Sequence, residues 1–196
     1  MLKIFSLFTV AVQSLVRKKK RSNQTIFLQR VPILASVEIN ALLGSGIKGI
    51  ILDLDNTIVS EDDRYLSPGA ETWIDQAKLQ GLKFYILSNG KRRHRLIYWC
   101  ERLEISGINP ARKPFPFAFA KAFKHMGLKA SQVMVIGDSF HTDIMGAFLS
   151  GCTCIQVASL PHPPRWWEKI IGRWVQRPYP SDRELWKFEK DFRAYF

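Results

Sequence analysis

The sequence predicts an α/β fold, a three-layer arrangement around a central parallel sheet. Three observations carry this expectation. From Ile47 onward, short apolar runs alternate with stretches of helical periodicity, the pattern of successive strand–helix–strand units. Helix punctuation falls between the runs, with Ser67-Pro68 at one start and Gly81, Gly127 and Gly151 at three ends. The conspicuous polar residues, Asp53, Asp55, Ser88, Asn89 and Asp138, directly follow apolar runs, and parallel sheets gather ligands at the carboxyl ends of their strands.

Taken in order, residues 49–54 form a continuous apolar run ending in acids and read as a buried strand. Ser67 is a fitting N-cap and Pro68 a fitting first helical residue, so a helix is expected to about residue 80, closed by Gly81. Residues 83–87 are a second strand and 91–103 a helix. Residues 115–126 form another helix, with Gly127 as its C-cap. Residues 133–136 are a third strand running into Gly137-Asp138, 143–150 a short helix, and 153–157 a fourth strand. There is no internal repeat and no low-complexity tract.

A chain of 196 residues with 46% hydrophobic content can bury one core. The net charge of +12 is unevenly placed: +7 over residues 1–30, +2 over 31–160 and +3 over 161–196. The division that follows is a basic N-terminal extension (1–30), a central domain (31–160) and a Trp/Arg-rich C-terminal extension (161–196). Basic ends around a near-neutral middle fit contact with something anionic, a membrane surface or nucleic acid. In the first segment Lys3, Ser6, Thr9, Gln13, Arg17 and Lys20 share one helical face opposite Ile4, Phe8, Ala11 and Leu15. That pattern suits an interfacial helix, an organelle transit peptide or a helix packed on the protein itself. In the last segment Trp166, Trp167, Ile170, Ile171, Trp174 and Val175 recur at helical spacing beside Arg165, Lys169 and Arg173. This helix either lies in a membrane interface or docks on the sheet. Cys100, Cys152 and Cys154 have no metal-ligand spacing and read as structural thiols of a reducing compartment.

The chemistry concentrates in Asp53-Leu54-Asp55-Asn56-Thr57. Two acids at i and i+2, leaving a buried strand, converge on one ligand and need a compensating cation. Mg2+ suits them, because it takes oxygen ligands, often one or two carboxylates, and completes its shell with phosphate and water. Asp138, Asp143, Ser88 and Lys113 supply further carboxylates, a hydroxyl and an ammonium at neighbouring positions.

These segments, Asp53-x-Asp55-x-Thr57, Ser88-Asn89, Lys113 and Gly137-Asp138-x4-Asp143, resemble in order and spacing the four motifs of haloacid-dehalogenase (HAD) superfamily phosphatases. Arg30-Val31-Pro32, Gly46-Ile47-Lys48-Gly49 and Ala111-Arg112-Lys113-Pro114 look more narrowly like the YqeG-type branch of subfamily IIIA, which includes phosphatidylglycerophosphate phosphatases. Ser139 and Phe140 stand where that branch carries a glutamine and an apolar residue. The resemblance implies a HAD-like Rossmannoid fold and an Mg2+-dependent phosphomonoesterase. Asp53 would be the nucleophile and Asp55 the general acid and base. Asp53, Asp138 and the backbone carbonyl of Asp55 would hold the metal. Ser88, Asn89 and Lys113 would bind the phosphoryl group, with Thr57 bracing the loop and Asp143 orienting the site or reaching the metal through water.

The intervals between the motifs are too short for a cap domain. An open site is therefore expected, with residues 59–66 as a small flap whose acids are solvated. Lys91-Arg92-Arg93-His94-Arg95 either draws anions to the mouth or is a solvated helix start. An open basic site fits a phosphate displayed on something large. The leading expectation is a cytoplasmic protein peripheral to an anionic membrane, acting on a phospholipid, with organelle targeting left open. The alternatives are a phosphatase for nucleic-acid ends or phosphoproteins, and a non-catalytic RNA- or ribosome-binding protein on the same fold.

Overall fold

The computed structural model describes residues 28–188. The amphipathic segment expected over the first 21 residues, and the last aromatics Phe192 and Tyr195, lie outside the described residues.

The element order is β1 (Leu28–Arg30), a 3-10 turn (Leu34–Ser36), α1 (Ile39–Gly44), β2 (Gly49–Leu52), β3 (Tyr65–Leu66), α2 (Ala70–Leu79) and β4 (Lys83–Leu87). It continues with α3 (Arg93–Leu103), β5 (Gly107–Ile108), α4 (Pro116–Met126), β6 (Val133–Gly137), α5 (Met145–Ser150), β7 (Thr153–Gln156), α6 (Glu168–Val175) and β8 (Trp186–Lys187). Six strands form one sheet in the order β1-β7-β6-β2-β4-β5, every pairing parallel. The apolar strands β2 and β6 sit centrally, in register Ile51 to Val135.

Alternation along the strands separates two cores. Ile50 and Leu52 face one side with Phe84, Ile86 and Ile136, covered by Leu34, Leu42, Trp73, Ile74 and Trp99. Ile51 faces the other with Leu87, Val135, Cys152 and Cys154, covered by Ala118, Phe119, Ala122 and Ala147. The result is a three-layer α/β sandwich. The two adjacent thiols share a face as their spacing requires, and burial pushes both up to about 12, which makes them inert.

Several boundaries differ from the sequence pattern for identifiable reasons. The second helix begins at Ala70 and not at Pro68, because Gly69 adopts a left-handed φ of 70° and the first helical bond runs from Trp73 N to Gly69 O. The short helix begins at Met145 and not at Asp143. Phe140–Ile144 forms a π-helical turn instead, in which the N–H groups of Asp143 and Ile144 both donate to Ser139 O at 2.9 and 3.3 Å. Leu28–Arg30, placed by composition in the N-terminal extension, pairs with β7 as an edge strand. β8 pairs antiparallel with β3 and so ties the C-terminal region to the flap. No helix among the described residues is long and apolar enough to cross a membrane.

Candidate active site

Four strand ends deliver the site. Asp53 follows β2, Ser88 follows β4, Lys113 lies in the loop after β5, and Asp138 follows β6. The carboxylates of Asp53, Asp138 and Asp143 come within 4.8 Å of one another, and all three are buried. Lys113 is the cation among them, with Nζ 2.7 Å from Asp53 Oδ1 and 2.6 Å from Asp143 Oδ1. Its backbone is clamped by Asn89, whose Nδ2 donates to Lys113 O and whose Oδ1 accepts from Lys113 N, both at 2.9 Å.

The electrostatics are those of a cation site. Were the three carboxylates all ionised, they would leave a net charge of −2 against one ammonium, which one divalent ion would balance. Burial and the nearby Asp143 raise Asp53 well above the usual carboxylate range, despite the opposing Lys113. Burial and Asp143 likewise push Asp138 up to about 7. Burial works against the charge on Lys113, but Asp143 and Asp53 outweigh it and hold the ammonium charged above its usual range. The donor set is all oxygen, as a hard cation such as Mg2+ prefers, so the residues present fit the metal. Asp143, expected to orient the site or to reach the metal through water, belongs to this carboxylate cluster.

Asp55 lies outside the triad. Its Oδ2 accepts from Ser88 Oγ at 2.8 Å and its Oδ1 is ion-paired with Arg95 Nη1. Arg95 is 3% exposed and also pairs through Nε with Asp63, while its Nη2 donates to Ser60 O at 2.8 Å. The sequence reading expected the acids of residues 59–66 to be solvated and Arg95 to be either an anion attractor or a solvated residue. Asp63 and Arg95 are instead buried partners that dock the flap on α3, joined by Arg92 Nη1 at 2.8 Å from Asp63 Oδ2. Asn56, with φ 62°, turns the loop and accepts from Glu61 N at 2.8 Å through Oδ1. Thr57 is buried and its Oγ1 makes no hydrogen bond, so Asn56 does the bracing expected of Thr57.

The sequence reading missed the contribution of the C-terminal region. Gln176 Nε2 donates to Asp138 Oδ2 at 2.9 Å, and Gln156 Nε2 bonds both Asp138 O and Val175 O. Trp167 stands edge-on to His141 with ring centroids 5.1 Å apart, and His141 Nδ1 lies 2.8 Å from Ser139 Oγ. Burial lowers the pKa of His141, which favours the neutral ring. Arg165 bridges to Glu61 of the flap at 2.7 Å. These residues enclose one side of a cavity of about 870 Å³ that holds Asp53, Asp55, Ser88, Lys113 and Asp138. The only signal in the sequence was the helical spacing of the apolar residues in 166–175.

The parallel sheet thus brings carboxylates, a serine and a lysine together at its strand ends. Residues 58–151 match the family model of haloacid dehalogenase-like hydrolases. Over 111 residues the chain is 40% identical to a protein of Bacillus subtilis described as probable phosphatase YqeG, a match covering 57% of this chain and 64% of that protein's length. An uncharacterized protein of Listeria monocytogenes is similar in structure at a TM-score of 0.48, with 18% identity, over 61% of this chain and 84% of that one. The D,D-heptose 1,7-bisphosphate phosphatase of B. bronchiseptica, solved with magnesium and phosphate, scores 0.47 with 20% identity, over 58% and 82% of the two chains. Both scores are below 0.5, and the fold rests on the sheet order described above.

Proposed function

We infer that the chain is an Mg2+-dependent phosphomonoester hydrolase that forms an aspartyl-phosphate on Asp53. The observation that carries this reading is the buried cluster of Asp53, Asp138 and Asp143 around Lys113. Leu54 N–H donates to Asp53 Oδ1 at 2.7 Å, and Lys113 holds the same oxygen. The carboxylate is thereby fixed, and Oδ2 is left as the nucleophile. Attack on phosphorus forms the Oδ2–P bond and breaks the bond to the leaving oxygen, which takes a proton from Asp55. Water then attacks the phosphoryl group, returns a proton to Asp55 and releases phosphate and the free Asp53 carboxylate. Lys113 and Ser88 would bind the phosphoryl oxygens. Asp53 and Asp138, with Asp143 close by, would hold Mg2+, which when bound neutralises charge on the transferring phosphoryl group.

The substrate assigned here is a phosphomonoester displayed at a membrane, with phosphatidylglycerophosphate as the specific candidate. An 870 Å³ cavity with Lys91, Arg92 and Arg165 on its lining supports an anionic substrate, as does the resemblance to the YqeG-type branch.

The test is Mg2+-dependent phosphate release from phosphatidylglycerophosphate in mixed micelles, with soluble monoesters in parallel. Lipid turnover is expected, and Asp53→Asn should reduce it by ~10³-fold or more. Turnover of soluble esters alone would keep the mechanism and remove the lipid. No release from either class at saturating Mg2+ would overturn the reading.

A further inference from the structure

α6 lies across the carboxyl end of the sheet. It is pinned at its start by Trp167 against His141 and just past its end by Gln176 on Asp138. Successive residues of a helix differ by about 100°, so the side chains of α6 and of the turn that leads into it fall into rows. Trp167, Ile171 and Val175 form the inward row, half-buried to fully buried. The next row, Trp166, Ile170 and Trp174, faces water at 77%, 67% and 63% exposure. The row after that is Arg165, Lys169 and Arg173, all exposed.

Two more exposed aromatics belong to the same end of the molecule. Phe115 and Phe117, 66% and 64% exposed, flank the start of α4, immediately after the loop that carries Lys113. The exposed row of Trp166, Ile170 and Trp174 thus starts at the cavity, which Trp166 lines. Arg165 lines it as well.

A row of Trp and Ile beside a row of Lys and Arg is the composition of a helix that seats in the headgroup region of an anionic bilayer. A second copy is a poorer occupant, because each chain carries a net charge of +12 and like chains repel. We propose that the face of α6 formed by Trp166, Ile170 and Trp174, with Lys169 and Arg173, docks the protein on an anionic lipid surface and turns the cavity mouth to the headgroups. The meaning of that orientation rests on the phosphatase reading; the docking surface stands independently of it.

The test is sedimentation of the full chain with phosphatidylcholine vesicles with and without phosphatidylglycerol. The double variant Ile170→Glu/Trp174→Glu is compared with Ile170→Ala/Trp174→Ala, circular dichroism and thermal melting check that each stays folded, and hydrolysis of p-nitrophenyl phosphate reads the site separately. Binding should require phosphatidylglycerol, fall roughly tenfold or more in the Glu variant and fall less in the Ala variant, with soluble-ester turnover unchanged. Equal binding of parent and both variants would overturn the proposal, as would no binding of the parent. A concentration-dependent dimer that the Glu variant dissolves would assign the face to a second copy and also overturn it. Vesicle binding that depends on α6, with no phosphate released from any ester, would sustain the docking surface and defeat the phosphatase reading.

Discussion

At the residue scale, Arg95 carries the most structure per side chain. One buried guanidinium meets Asp55, Asp63 and the carbonyl of Ser60, and so joins the candidate general acid to the flap and to α3. Removing one partner of a buried ion pair leaves the others charged and unpaired in a poor solvent. Arg95→Ala is therefore expected to lower the unfolding free energy by about 3–5 kcal/mol in urea denaturation. Adding Asp63→Asn should recover part of that loss, since it removes one stranded charge. A loss within ~0.5 kcal/mol would mean that the buried pairs contribute no more than a surface substitution. None of this was legible in the sequence. The pairing of Arg95 with Asp63 spans 32 residues, and no local pattern distinguishes one arginine in Lys91-Arg92-Arg93-His94-Arg95 from its neighbours.

At the scale of elements, the junction of β6 with the π-helical turn decides whether the site forms. Asp143 folds back over the strand end, where its Oδ2 accepts from Ser139 N at 3.1 Å. A Cβ at Gly137 would lie 2.4 Å from Asp143 Cγ, so any larger residue must push that carboxylate off Lys113. Gly137→Ala is expected to cost roughly 10²-fold in kcat, the usual effect of misplacing a catalytic group by about an ångström. Steady-state kinetics on a soluble monoester would measure it; an unchanged kcat would mean that the Asp143–Lys113 contact is dispensable. The strands and the motif residues at their ends were readable because buried parallel strands are apolar runs and their ends are chemically abrupt. The π-helical turn was not readable, because it depends on two N–H groups sharing the carbonyl of Ser139, and a helix beginning at Asp143 satisfies the same apolar pattern.

For the whole molecule, the cluster makes stability depend on pH and metal together. The folded state raises Asp138 from 3.8 to about 7, so the folded chain holds a proton there that the unfolded chain has lost. That contribution is complete below about pH 4 and lost as pH rises through about 7, on the order of 4 kcal/mol at most. Mg2+ held by the ionised carboxylates would reverse the trend. The melting temperature in EDTA is expected to fall between pH 5 and pH 7.5. Millimolar Mg2+ should restore it at pH 7.5 and change it little at pH 5. A melting temperature indifferent to both would show that the cluster carries no uncompensated charge. The sequence identified the carboxylates and the lysine of this cluster but not the wall that Arg165, Trp167 and Gln176 place beside it. That wall follows from where α6 comes to rest, which is a property of the assembled fold.

The pairing of Tyr65–Leu66 with Trp186–Lys187 also fixes an order in time. A chain emerging from the ribosome at about 5–20 residues per second has made every strand of the large sheet once Gln156 is out. The strand that pairs with the flap follows 30 residues later, after Gln176 and the rest of the cavity wall. A half-made molecule therefore carries Asp53 on a formed sheet with the flap unpaired. The wall arises last, and a chain interrupted in this interval has the carboxylates and Lys113 without the wall.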